Sequence, residues 1–520
     1  MRPAAETLIQ LGQRDNQVMT HLVELTETFG PRLTGSTNLN KAGEWARDRF
    51  ASYGLDARLE KWGEFPVGFQ RGVSTGKLLG ADERALTFVT MAWTPGTEGD
   101  TSGRVMLEPT TTEGLVPDDY QGAWILRRAR DERPKVKLRR EIDELLLDAG
   151  ILGELRDGGK NPIVDGRYKI SMDDLPRLVS VRLLRSDYAD LMQRVAAGGA
   201  APEVQFHIEN HFIEGPIEQF NVIADIKGTE FPDEFVIVGG HLDSWDPAVG
   251  AQDNGTGVST TLEAARMIMA AGIKPKRTIR FMLWGGEEQG LLGSGAYARA
   301  HPEVCEKTSA VLVHDGGGNY LSGLAGPAAL VEDLRTIAAP LLELDPDMPF
   351  KVTENRGLSP GGASDHSSFV AAGVPGFFWN QSGVLDYNYI HHTLHDYVSE
   401  VNADYQKHSA IVVAVGAMGI ANLDHMLDRT DLVRKRTMGN RRTMGVMLEE
   451  NLITDVLEGT QAEKLGMLAD DLIVAVDGAA VGSREEVVSE LRKGDPKKTV
   501  TVQRGDQRLD FVFVWEAPKK

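Results

Sequence analysis

His241 and Asp243 stand two residues apart where the apolar run 235–238 (FVIV) ends in two glycines, and Asp253 follows twelve positions after the histidine. Glu287 and Glu288 come directly after TIRFMLWGG, Asp315 closes SAVLVHD, and His391, His392 and His395 share the stretch IHHTLHD. Imidazoles and carboxylates without thiolates are the donor set of a hydrolytic metal centre. Two dications held close together repel, so a carboxylate has to bridge them. Each ion then needs an imidazole, a further carboxylate and one position left for water. Adjacent glutamates cannot face such ions in the same way, so Glu287 and Glu288 suit one general base and one ligand. His241 and Asp243, two apart in an extended segment, can share a side, and the carboxylate can then accept from the second ring nitrogen of His241. Taken singly, a His-x-Asp after a strand is more often a loop pair, and Glu-Glu a solvated turn. Order and spacing together are what argue for one site. His211, His301, His314 and His366 read as structural or surface histidines, and Trp245, Trp284 and Trp379 as core or pocket wall.

These residues need elements that bring them together. In an open α/β sheet, ligands bind beyond the carboxyl ends of the strands. From residue 220 the chain alternates strand-like runs (FNVIADI, EFVIVGG, TIRFMLWGG, SAVLVHD, VPGFFWN) with helical segments, the pattern of a wound, mostly parallel α/β sheet with helices on both faces. A helix over 256–271 places Val258, Leu262, Ala265 and Met269 on one face. Further helices fall near 292–300, 328–344 and 364–372, and 401–428 reads as a closing helix. Upstream, Leu8, Leu11, Val18, Leu22, Leu25 and Phe29 recur at helical spacing, FGPRLTGST breaks the pattern, and a second helix follows. Short β-type stretches fill 70–212, with a charged helix near 135–150. The last eighty residues hold short strands, tight turns and a helix near 483–493. The segmentation is therefore 1–69 and 213–432 for one α/β domain, 70–212 for a β-rich insert, and 440–520 for a separate unit.

A chain of 520 residues implies two to four domains. Its 76 acidic against 56 basic residues give a net charge of −20, which argues against nucleic acid as a partner. The basic run from Arg127 to Arg140 reads as a solvated helix face and that from Arg434 to Arg442 as a linker. Cys305 is the single cysteine, so a disulfide framework within the chain and a thiolate metal cluster are both excluded. No run of about 18 apolar residues exists to span a membrane. The first residues lack the basic-then-apolar pattern of a signal peptide. The expectation is then either a cytoplasmic protein, or an extracellular or periplasmic one whose signal has been removed.

HLDS, GAQDNGTG, WGGEEQGLLGS, VHDGG, SDHSSF…GVP and HHTLHD, in this order and spacing, resemble the co-catalytic di-zinc exopeptidases, which include zinc aminopeptidases and glutamate carboxypeptidases. GPRLTGS and AWTPGT look like the plasma-type glutamate carboxypeptidase subgroup. The resemblance covers about residues 10–430. It implies two zinc ions: His241 and Asp315 on one, Glu288 and His392 on the other, and Asp253 bridging. His392 is singled out because the family pattern His-Thr-x-x-Asp fits His392, Thr393 and Asp396. Glu287 becomes general base on a zinc-bridging water, Asp243 the partner of His241, and His391 or Tyr387 the oxyanion donor. Asp365 and His366, in the Ser-Asp-His motif, would line the substrate pocket. The activity implied is hydrolysis of dipeptides or short peptides with a free terminus, by a protein that can homodimerise. The alternatives are an aminopeptidase on longer peptides, a glutaminyl cyclase, or a non-catalytic binding protein of the same fold. The insert resembles a protease-associated domain in strand order. Residues 440–516, with GVML and ITDVLEGTQAEKLGMLADDLIVAVDG, resemble a PDZ domain, which implies a peptide ligand added to a sheet edge, its carboxylate at the loop Thr443-Met444-Gly445-Val446.

Overall fold

The strand Arg277–Trp284 is buried at all eight positions, and a strand buried throughout needs cover on both faces of its sheet. A computed structural model describes residues 2–129, 132–166, 170–433, 442–457 and 459–515. There Arg277–Trp284 pairs in parallel with Phe231–His241, and Thr308–Val313 joins the other side of Phe231–His241, also in parallel. Gly376–Phe378 extends the sheet in parallel from Thr308–Val313, whereas the long strand Glu203–Ile226 runs antiparallel to Arg277–Trp284. The register sets Trp284 opposite His241 and Val313 opposite Gly239, so the carboxyl ends of three strands finish level.

Alternate residues of these strands enter different cores, as the period of two requires. Val236, Val238, Phe281, Leu283 and Leu312 meet the helices Arg2–Arg14, Val18–Phe29, Thr37–Ser52, Thr256–Ala270, Ala328–Ala338 and Ala403–Ala421. Ile237, Met282, Val311 and Val313 face Tyr297, Ala298 and Phe369, from the helices Leu292–Ala300 and His366–Ala371. Ala403–Ala421 is apolar on every side and accordingly buried along nearly its whole length. It stops at Asn422, short of the 428 read from its pattern, and the single helical run read upstream is two helices parted at residues 15–17.

The strands Asp56–Leu78 and Glu203–Ile226 form a long antiparallel ribbon with three register shifts. It continues the sheet into a second body, so residues 70 and 212 both fall inside strands. That second body contains Thr101–Leu107, Trp124–Leu126, Gly153–Asp157 and Val179–Leu183 as successive parallel neighbours, and the helix Arg185–Ala197. Its core gathers Leu78, Trp124, Leu155, Val181 and Phe206. Arg127 is inside, between Glu108 at 3.0 Å and Glu154 at 2.7 Å, and not on a solvated helix face. Burial pushes the Glu154 carboxyl up, and Arg156 and Arg127 overcome that and hold it near 2. The helix that does follow, Val136–Asp148, begins only nine residues later.

The chain divides into two compact units, the second comprising 109–119, 129–149 and 436–520. Within it, a six-stranded sheet surrounds Ile453, Ile473, Val476, Val487, Val500 and Phe513. Arg139 and Arg140 of the helix Val136–Asp148 pair with Glu449 and Asp470. Most of the basic linker, 434–441, lies outside the described residues, but Arg442 is buried and donates to Leu491 O and Lys493 O at 2.9 Å.

One buried ionic knot holds the first helices to the sheet's cover. Glu263 is fully buried and accepts from His21 Nε2 at 3.1 Å, Gln17 N at 2.9 Å and Arg266 Nε at 2.8 Å. Replacing one member of such a network strands the others. We predict that Glu263→Ala lowers the unfolding free energy by about 3–5 kcal/mol, measured by urea denaturation. A loss under about 1 kcal/mol would show that the knot contributes little.

Candidate metal centre

His241 is the last residue of its strand and is buried. Its Nδ1 faces the main-chain oxygen of Asp243 at 3.0 Å, while the Asp243 carboxylate is 3.7 Å away. A proton on Nδ1 therefore goes to a carbonyl, not to the carboxylate read from the sequence. The Nε2 lone pair is left to face Asp253 Oδ1 at 3.2 Å and Asp315 Oδ1 at 3.4 Å. The Asp243 carboxylate has other partners. It accepts from the main-chain N–H of Glu287 at 3.2 Å and of Glu288 at 3.1 Å, and from the Thr34 hydroxyl at 3.1 Å. It thus fixes the turn on which both glutamates sit.

Asp253 lies in the loop before the helix Thr256–Ala270, next to a cis peptide bond to Asn254. Asp396 holds this loop by accepting from Gln252 N at 2.6 Å and Asp253 N at 3.0 Å. Asn254 ties it to the neighbouring strand end by donating to His314 O at 2.9 Å. Gly257 is required there, because a Cβ would stand 2.2 Å from that same His314 oxygen. The second oxygen of Asp253 points away from His241, towards His392 Nε2 at 3.6 Å and His391 Nε2 at 3.9 Å. His392 Nε2 is 3.0 Å from Glu288 Oε2. Two sets of donor atoms result, His241–Asp253–Asp315 and Asp253–His391–His392, each within 4.8 Å of one another.

The site is strongly acidic for a buried one. Burial raises the Glu287 carboxyl well above its ordinary value, and Asp315, Glu288 and Asp365 push the same way against His241. Glu288 is raised well above its ordinary value by burial, with Asp253 adding to it. Burial would lower His241, but Asp315 and Glu287 overcome it and raise the imidazole. Asp253, despite burial, is held near 2 by His241, His392 and His391. Glu288 Oε1 is buried with no hydrogen-bond partner. Convergent carboxylates around neutral-capable imidazoles, with an orphaned oxygen, are what a site built for dications requires.

The remaining sequence candidates border this centre. Asp365 is fully buried with neither oxygen hydrogen-bonded, and burial together with Asp243 and Asp315 raises it to about 7. His366 sits against Phe378 at 5.5 Å and is lowered to about 4 by burial. Tyr387 stacks on His391 at 4.7 Å, its hydroxyl raised by burial. His395 stacks on Tyr389 at 4.1 Å and joins neither donor set, and His314 turns to Thr260 Oγ1 at 2.7 Å. Trp245 forms pocket wall, its ring 5.8 Å from His392.

Sequence reading passed over Arg32, within GPRLTGS. It is fully buried and donates to Leu242 O at 2.7 Å, Val249 O at 2.7 Å and Gly250 O at 2.9 Å, spanning the loop between His241 and Asp253. Burial lowers its guanidinium to about 10, with Asp396, Asp243, Asp253 and Glu288 acting in the other direction, so it stays charged at neutral pH. No spacing rule links it to a loop more than 200 residues away.

Residues 221–416 match the model of Peptidase family M28, and 452–504 that of the PDZ domain. Human carboxypeptidase Q is 27% identical over 461 residues, which cover 82% of this chain and 90% of the human protein. The structure of a Peptidase M28 precursor from Shewanella amazonensis SB2B is similar at a TM-score of 0.61 and 25% identity, covering 82% of this chain and 97% of that one. BSAP, a zinc aminopeptidase from Bacillus subtilis, shares the fold at a TM-score of 0.53 and 19% identity, covering 80% and 97%. The buried site lies on the segments that the peptidase model spans, so the chain carries a Peptidase family M28 domain over residues 221–416, followed by a PDZ domain.

Proposed function

We propose that the protein is a di-zinc exopeptidase that hydrolyses dipeptides or short peptides bearing a free terminus. The carrying observation is Asp253, whose two oxygens face different donor sets: Oδ1 towards His241, and Oδ2 towards His392. In this reading His241 and Asp315 would hold one ion and Glu288 and His392 the other, with Asp253 shared between them. When bound, the ions supply Lewis acidity that acidifies a water and steadies charge on the substrate carbonyl oxygen. Glu287, beside the ligands but not needed as one, takes the proton of the attacking water and passes it to the leaving amine. Asp243 holds Glu287 and Glu288 by their main chains, so base and ligand keep a fixed separation. Tyr387 keeps its proton, since burial raises its hydroxyl, and with His391 it can donate to the carbonyl oxygen. In the PDZ domain, Val446–Glu449 is an edge strand of its sheet, which suits addition of an extended peptide.

Two zinc ions per chain are expected on elemental analysis of the loaded protein. Their removal by chelation should lower the melting temperature, as loss of any ligand specific to the native state does. Asp253→Ala should abolish that difference; a variant still holding two ions would remove the bridge from the proposal. Glu287→Gln should bind zinc normally and lose about 10²–10⁴ in kcat on unblocked dipeptides and aminoacyl-nitroanilides. Full activity in this variant would sink the mechanism. Asp243→Asn puts an amide against two N–H donors, and a loss of about 10–100-fold in kcat with zinc retained is expected. Unchanged kinetics would mean that the glutamate turn does not depend on it.

A further inference from the structure

Three rings stand in one column beside Asp253. Tyr387 stacks on His391 at 4.7 Å, His391 lies 3.7 Å from His392, and Trp245 meets His392 edge-on at 5.8 Å. Neighbouring residues of a strand point to opposite faces. The backbone here is of another kind, because His392 takes a φ of 56°, a left-handed value that few residues other than glycine adopt. Such a conformation persists only where the surroundings impose it, and the His392 carbonyl is held by Val164 N at 2.7 Å. Both imidazoles consequently turn the same edge to the same atom. His392 Nε2 is 3.6 Å and His391 Nε2 3.9 Å from Asp253 Oδ2.

Neither distance is that of a hydrogen bond. Both lie within about 0.5 Å of the spacing of two ligands on one cation, since bonds of about 2.0–2.2 Å in a tetrahedral shell put donor atoms roughly 3.4 Å apart. The first donor set shows the same spacing, with His241 Nε2 3.2 Å from Asp253 Oδ1 and 3.4 Å from Asp315 Oδ1. Asp253, His391 and His392 each offer an atom within 4.8 Å of the others. We propose that His391 is a metal ligand, its Nε2 joining His392, Asp253 and Glu288 on the second ion. The proposal rests on the di-zinc reading above, and it changes the part His391 plays. A nitrogen bound to a cation holds no proton to give, so donation to the substrate carbonyl falls to Tyr387. The two positions also become unlike: one has a single imidazole among carboxylates, the other a pair of imidazoles. Imidazole suits zinc, whereas carboxylate oxygens also suit manganese and magnesium, so the His391 position is the more selective for zinc.

The test titrates the metal-free full chain with zinc against a chelating indicator, for wild type, His391→Ala and His391→Phe. The His391 side chain is 40% exposed, and its main-chain N–H, which donates to Tyr387 O at 2.8 Å, survives either substitution. Wild type should take up two ions. Both variants should keep one ion at wild-type affinity. For the other they should lose more than the roughly 10–100-fold that removing an outer hydrogen-bond partner costs. Phenylalanine keeps a ring in the column, so retention of both ions by His391→Phe but not by His391→Ala would assign the effect to stacking and overturn the proposal. X-ray absorption at the zinc edge should find three imidazoles over two ions in wild type and one fewer in each variant. An unchanged count overturns the proposal, as does a variant that binds both ions normally and loses only kcat. If wild type holds a single ion, the di-zinc reading fails by itself. The imidazole count of that ion still decides: one fewer in His391→Ala sustains His391 as a ligand, and an equal count overturns it.

Discussion

Mutual repulsion among buried carboxylates is the constraint on which this structure turns. Asp243, Asp253, Glu288, Asp315, Asp365 and Asp396 are all buried, with the half-buried Glu287 beside them. Charges brought together away from water push one another's protonation equilibria upward unless something opposes them. Three things oppose them here. Main-chain N–H groups of Gln252, Asp253, Glu287 and Glu288 point at Asp396 and Asp243. Arg32 adds a permanent positive charge. Metal cations supply the rest in the proposed reading. Much of the rigidity then comes from the protein's own dipoles, so the donor atoms are positioned before any ion arrives, which is what preorganisation of a metal site requires.

The sheet sets the scale of that preorganisation. Parallel strands ending level place His241, the Glu287–Glu288 turn and Asp315 on one rim without any side chain having to reach. Asp253 comes from the loop after His241, and His392 from far downstream, and these two need separate ties. Arg32 and Asn254 serve the first by gripping carbonyls of neighbouring segments. Both use main-chain acceptors, Asn254 a carbonyl next to a strand end and Arg32 the carbonyls of the loop itself. A tie to another mobile side chain would hold the loop less firmly.

How much of this was legible in the sequence follows from which interactions are local. The strand runs, the residues at their ends and the adjacent glutamates at 287–288 depend on neighbours in the chain, and the pattern shows them. Asp243 was placed beside His241 for the right reason, two-residue spacing, but with the wrong partner atom. Its carboxylate turns to the 287–288 main chain, a contact across more than forty residues that no spacing rule encodes. Arg32 was invisible for the same reason. The limits at 70 and 212 fell on changes of composition, whereas the ribbon Asp56–Leu78 with Glu203–Ile226 runs straight through both. A strand that goes from one core to another carries no turn residues to announce the crossing. Arg127 looked solvated because its run is basic, yet its acids are supplied by Glu108 and Glu154 on adjacent strands.

The two imidazoles at the centre are not equivalent, and the difference gives the site a direction. The His241 side chain is 1% exposed and locked through Nδ1 to a main-chain oxygen. The His392 side chain is 21% exposed, its backbone takes a positive φ of 56°, and His391 beside it is 40% exposed. What keeps His392 in place is its own carbonyl, which accepts from Val164 N at 2.7 Å, with Ile163 bridging to Thr393. The second body therefore does more than extend the sheet, because a segment of it secures the backbone that presents the more exposed imidazole. The centre is thus closed at His241 and more accessible beside His392 and His391.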